Sequence, residues 1–224
     1  DPRVCYSARR IGRISYDELL EMTALGCPKP AMRSVEVART YRVPLHVRSA
    51  FTWEPGTWIV EQEPDMEKAI ISAVVPDTSQ AKLTVAGVPD TPGVAASLFR
   101  SLANDDINVD MIVQNVSEHG QTDISFTVPR DQLDTAEENT RRVAADIGAG
   151  EVTTDGDVGR VSVVGAGMAA NPGVAATMFE TLADHNINIE MISTSAIRIS
   201  CVVAESQVDE ATIALHDAFQ LDQQ

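Results

Sequence analysis

The chain has 224 residues, enough for one or two ordinary domains, and its 44% apolar content excludes a wholly disordered chain. Only 4% of residues are aromatic, so a core must be built from Ala, Val, Ile, Leu and Met, and no stretch approaches the ~20 apolar residues of a membrane helix. Residues 1–60 carry nine Arg/Lys against six Asp/Glu, net +3, and residues 61–224 carry eight against twenty-seven, net −19, an acidity that argues against nucleic acid or an anionic membrane as partner.

The start at Asp1-Pro2-Arg3, without Met, reads as the middle of a longer chain. A helix is predicted over 15–25, because Ser15 and Glu18 form a capping box and Gly26 stops it. A second helix is predicted over 34–42. Two short strands follow, 44–47 and 57–60, around the turn Glu54-Pro55-Gly56. The charged stretch 61–68, which contains Pro64, is the expected linker. Residues 69–75, an apolar run, are the next strand.

An internal repeat then dominates. Residues 92–112 (PGVAASLFRSLANDDINVDMI) and 172–192 (PGVAATMFETLADHNINIEMI) are identical at 12 of 21 positions without a gap. Chance does not give this, so the two are copies of one unit. Each copy has a strand (83–86; 161–164), a Gly-containing loop and a helix opened by Thr91-Pro92 or Asn171-Pro172. Thr and Asn are good N-caps and Pro suits the first helical position, so those roles are expected here. Asn108 and Asn188 open second strands (109–116; 189–194). Third strands (123–128; 197–203) and closing helices (131–147; 206–219) complete the pattern.

That order is βαββαβ, ferredoxin-like, in the α+β class. Residues 151–154 can close the first copy, whereas the second has no strand after its last helix. The strand at 69–75 is therefore expected to complete the second copy, making the units interwoven.

A free amino acid fits the loop before each repeat helix. Amides at the helix start favour a carboxylate, and Asp90 can hold an ammonium, with Thr91, Gly93, Val94 and Ala95 facing the ligand. The alternative for Asp90 is a turn residue that only caps. In the second copy the set is Met168, Asn171 and Gly173, and Ala170 aligns with Asp90, so the two sites cannot bind alike. Asn108 and Asp110, and their counterparts Asn188, Ile189 and Glu190, are strand candidates. Turn asparagines and a solvated sheet edge are the alternatives. Met111 and Met191 read as packing. Cys5, Cys27 and Cys201 are odd in number, and His46, His119, His185 and His216 are scattered, so a reduced, cytoplasmic protein without a metal site is expected.

The motifs AGVPDTPGVAA, INVDMIVQNVS, TDISFTVP, VGAGMAANPGV, NINIEMISTSAIRISCVV and LHDAF resemble the paired ACT domains of aspartate kinase. DPRV, ISYDELLEMTALG, RSVEVA, VPLHVRSAF and PGTWIV resemble the end of that family's α/β amino-acid-kinase domain. The resemblance implies residues 1–60 as a kinase-domain remnant, 80–155 as the first ACT domain, and 69–76 with 158–224 as the second. It implies an ACT homodimer and lysine and/or threonine as allosteric ligands, held between paired units. Gln114, Asn115, Thr122 and Asp123 match its effector-lining positions, with Ser193, Thr194 and Ser195 the corresponding set in the second copy. Asp1 and Arg3 match nucleotide-site positions. ATP and Mg belong to an intact aspartate kinase, and none is expected for this chain alone. The segment 26–33 departs from the family pattern, with Lys29 displaced by one place and two prolines inserted. A regulatory subunit paired with a longer catalytic chain, or an ACT sensor of another enzyme, are the rival expectations.

Overall fold

The computed structural model describes residues 2–62, 70–115 and 120–223. In the first part, strand β1 (Arg13–Ser15) pairs in parallel with β3 (Thr57–Val60), which pairs antiparallel with β2 (Leu45–Val47). Helices α1 (Tyr16–Ala24) and α2 (Met32–Thr40) pack on this sheet through Ile14, Tyr16, Leu19, Val35, Ala38 and Ile59. The capping box forms as expected, Ser15 Oγ accepting the Glu18 N–H while the Glu18 carboxylate accepts the Ser15 N–H. Gly26, at φ +107°, turns the chain away after α1. The second helix starts at Met32 rather than 34, with no side-chain cap. The Arg-Ile-Ser of β1 is too short to show a period.

The two repeat copies have the same topology. The first contains β5 (Gln80–Pro89), α3 (Val94–Asn104), β6 (Ile112–Gln114), β7 (Gln121–Pro129), α4 (Leu133–Ile147) and β8 (Val152–Asp155), in sheet order β6-β7-β5-β8. The second contains β9 (Val158–Val164), α5 (Gly173–Asp184), β10 (Met191–Thr194), β11 (Arg198–Ala204) and α6 (Val208–Ala218). Its sheet order is β10-β11-β9-β4, where β4 is Ala73–Asp77. All these pairings are antiparallel. The strand ahead of the first copy thus occupies, in the second, the place that β8 holds in the first, and the fold is α+β with two interwoven ferredoxin-like units. Each core lies between its sheet and its two helices. Leu83, Val85, Leu98, Leu102, Ile124 and Phe126 fill the first, and Val161, Val163, Met178, Leu182, Cys201 and Leu215 fill the second. Burial pushes the Cys201 thiol up to about 12.

Several boundaries differ from expectation. The strand predicted over 69–75 is regular over Ala73–Asp77 and continues through Pro76, which an edge strand tolerates. The second strands are short: residues 109–111 and 189–190 lie outside the regular ladder, although the Asp110 and Glu190 amides still bond to Thr127 and Val202 carbonyls. Residues 116, 119 and 63–69, which hold most of the expected linker, are outside the described residues. Neither Thr91 nor Asn171 caps its helix by its side chain. Gly93 is the N-cap of α3, at φ +99°, and Pro172 that of α5, while Asn171 Nδ2 donates back to the Gly167 carbonyl at 2.8 Å. The tight turn before each helix shifts its start past the predicted cap.

The helix-free faces of the repeat sheets hold the molecule together. Helix α1 lies on that face of the second copy, where Leu25 packs with Ala73, Val75 and Val164 and Arg198 pairs with Glu21 at 3.3 Å. The two copies meet through Met111, Val158, Met191 and Val202. Two ion pairs flank this cluster, Arg160 with Asp110 and Lys82 with Glu190. Lys82 precedes Leu83 as Arg160 precedes Val161, so the pairs are reciprocal under the repeat.

Candidate functional site

The site is built where β5 ends. Its pairing with β7 slips between Val85 and Val88. Within that bulge Gly87 has φ +60° and donates its N–H to Asp123 Oδ1 at 2.9 Å, while the Ala86 carbonyl accepts from Gly150 at 2.8 Å. The chain leaves the bulge through Asp90, whose amide bonds the Gly120 carbonyl, and turns through Thr91 and Pro92 into α3. The first-turn amides of a helix have no partner within it, which gives this end a positive character.

A pocket of about 300 Å³ opens here, lined by residues 88–95 with Gln114 and Ile124. It brings together Asp90, Thr91, Gly93, Val94, Ala95 and Gln114 from the expected set. One carboxylate, one side-chain amide and a helix start surround an apolar floor of Val88, Val94 and Ile124. An ammonium beside Asp90 and a carboxylate at the start of α3 are the chemistry this arrangement accepts. Val88, Pro89 and Pro92 of the same expected loop also line it, and sequence reasoning missed Ile124. Val88 aligned with a loop, and only the bulge returns it to the strand.

The other expected residues lie elsewhere. Thr122 is buried beside Val88 in the ladder, Asp123 is taken up by the bulge, and Asn115 is exposed just beyond β6. Asn108 is exposed in the loop before β6, and Asp110 is held in its ion pair with Arg160.

The second copy does not reproduce the pocket. Its loop is two residues longer between the aligned strand and Pro-Gly-Val, and it coils into a 3-10 turn over Ala166–Ala170. Met168 is drawn into the core. Asn171 and Gly173 line a different cavity of about 420 Å³, closed by Ile70, Ile71 and Phe219. Ile189 packs against that core, Glu190 pairs with Lys82, Asn188 is exposed, and Ser195 closes the turn between β10 and β11 with the Arg198 carbonyl.

Asp1 lies outside the described residues, and Arg3 is exposed on an N-terminal turn. Among the described residues no group of three His, Cys, Asp or Glu could hold a metal ion, and no helix is long and apolar enough to cross a membrane.

The ACT domain family model matches residues 83–139 and 161–219, just over half of the chain. The chain is 47% identical to an aspartokinase from Mycolicibacterium smegmatis over 99% of its own length and 53% of that protein's. It thus spans about half the length of the curated relatives it matches. An aspartate kinase structure from Synechocystis is 39% identical, with TM-score 0.69, over 98% of this chain and 40% of that one. The ligand-free regulatory subunit of aspartate kinase from Thermus thermophilus is also 39% identical, with TM-score 0.64, over 67% of this chain and 99% of that one. The chain belongs to the ACT-domain family, as the C-terminal regulatory part of an aspartate kinase.

Proposed function

We propose that this chain senses a free amino acid, lysine and/or threonine, in the pocket of its first ACT domain and so controls an aspartate kinase. The observation that carries the reading is the juxtaposition of Asp90 with the start of α3 around a pocket sized for a single amino acid. Asp90 holds the α-ammonium, the α3 amides hold the carboxylate, and Gln114 on β6 meets the side chain. The activity under control is ATP- and Mg-dependent phosphorylation of the aspartate β-carboxylate, and this chain alone does not perform it.

Residues 1–60 retain part of a kinase domain. Phe51 and Trp53 there are 97% and 93% exposed, apolar surface that the rest of such a domain, in the same or a longer partner chain, would cover. This favours the regulatory-region and paired-subunit readings over an ACT sensor of some other enzyme.

Calorimetric titration of the parent chain and Asp90→Ala with threonine and with lysine tests the reading. Losing one charge-assisted hydrogen bond costs about 1.5–3 kcal/mol, a roughly ten- to hundred-fold weaker Kd. Equal affinity of parent and variant for both ligands would place the site elsewhere.

A further inference from the structure

Helix α1 and the residue after it meet strand β4 through one buried polar contact and through Leu25, which packs on Ala73 and Val75. At one end the Glu18 carboxylate, only 4% exposed, accepts from Ser72 Oγ at 2.5 Å, immediately before β4. It also accepts the Ala166 amide at 3.1 Å and Ser15 Oγ at 2.7 Å. At the other end Asp77, the last residue of β4, holds Arg160 at 2.7 Å. A Cβ on Gly26, just past α1, would lie 3.5 Å from the Asp77 carboxyl carbon. Arg160 is 2% exposed, and its second carboxylate is Asp110, in the segment that leads into β6. Four residues on, Gln114 of that strand lines the first-copy pocket.

We propose that β4 is a strut: through Arg160 it links the pocket strand β6 of the first ACT domain to helix α1, the element that packs on the kinase-like sheet. A buried guanidinium shared by two carboxylates cannot lose one of them and stay put, because its charge has no water to turn to. Displacement of β6 by a ligand therefore shifts Arg160 against Asp77, and β4 carries the shift to Ser72, Glu18 and α1. The first copy thus acts on the kinase end through a strand of the second copy's sheet, which gives the interweaving a purpose. The reciprocal pair Lys82–Glu190 joins the same two domains from strand β5 and the segment before β10, not through β4 or Arg160, so it serves as the comparison. The ligand-driven part of this strut rests on the pocket reading above; the mechanical part does not.

Hydrogen exchange on the full chain, without ligand, tests the mechanical part. Asp110→Asn is expected to raise exchange several-fold in 72–77 and 16–25 while 133–147 stays protected. Asp110→Glu, which keeps the charge, restores it, and Glu190→Gln leaves 16–25 unchanged. Exchange in Asp110→Asn confined to 105–128 and 158–164, or equal effects of Asp110→Asn and Glu190→Gln at α1, would overturn the strut. With saturating threonine or lysine, the parent changes protection at 16–25, whereas Asp110→Asn binds within about threefold of the parent and shows no change there. If neither amino acid binds the parent, the pocket reading fails, and the ligand-free comparison still decides the strut.

Discussion

At the scale of single residues, identical letters take different conformations. Both copies read Pro-Gly-Val at the helix start, yet Gly93 sits at φ +99° as the cap of α3, whereas Gly173 is the first residue of α5 with no positive φ. Neither has a neighbour that an added Cβ would meet. Gly93→Ala should therefore destabilise by about 1–2 kcal/mol through backbone strain alone, and Gly173→Ala should stabilise by about 0.4–1 kcal/mol through loss of unfolded-state entropy. Urea midpoints of the two variants check this, and shifts of the same sign would contradict the assignment. The repeat was legible because its twelve identities need no structure to be seen. The roles of Asp110 and Glu190 were not, since their partners Arg160 and Lys82 are 50 and 108 residues away in the chain. The pocket was half legible. Asp90 and the helix start lie in one loop, but Gln114 and Ile124 reach it only through sheet pairing.

At the scale of elements, the periodic strands and helices of both copies were readable because alternation and the helical period cover whole elements. The boundaries moved where tertiary contacts override local signals. Pro76 reads as a strand end, yet the edge position lets β4 continue to Asp77. Thr91 and Asn171 read as caps, yet the turn at each moves the cap two residues on in α3, to Gly93, and one residue on in α5, to Pro172. The borrowed strand could be inferred by counting: six elements are needed, the second copy has five, and one strand ahead of the first copy had no partner. Docking of α1 on the second sheet could not be inferred, because Glu18 satisfies a local capping box and its contacts with Ser72 and Ala166 add no sequence signal.

At the scale of the whole molecule, two edges govern assembly. β6 and β10 end their sheets, and Ile112 and Ile192, equivalent in the repeat, are 51% and 44% exposed on them. Open apolar edges of this kind are closed by another sheet, so a homodimer through residues 70–223 is the expected state. Sedimentation at micromolar concentration checks it, and a monomer with and without amino acids would contradict it. The proposed ligand binding belongs to the first ACT domain alone, and amide chemical-shift mapping of the chain during titration with threonine and lysine locates it. The largest shifts are expected at 88–95 and Gln114, with those at 168–174 small. Shifts confined to the second copy, or none at saturating concentration of either amino acid, would contradict it.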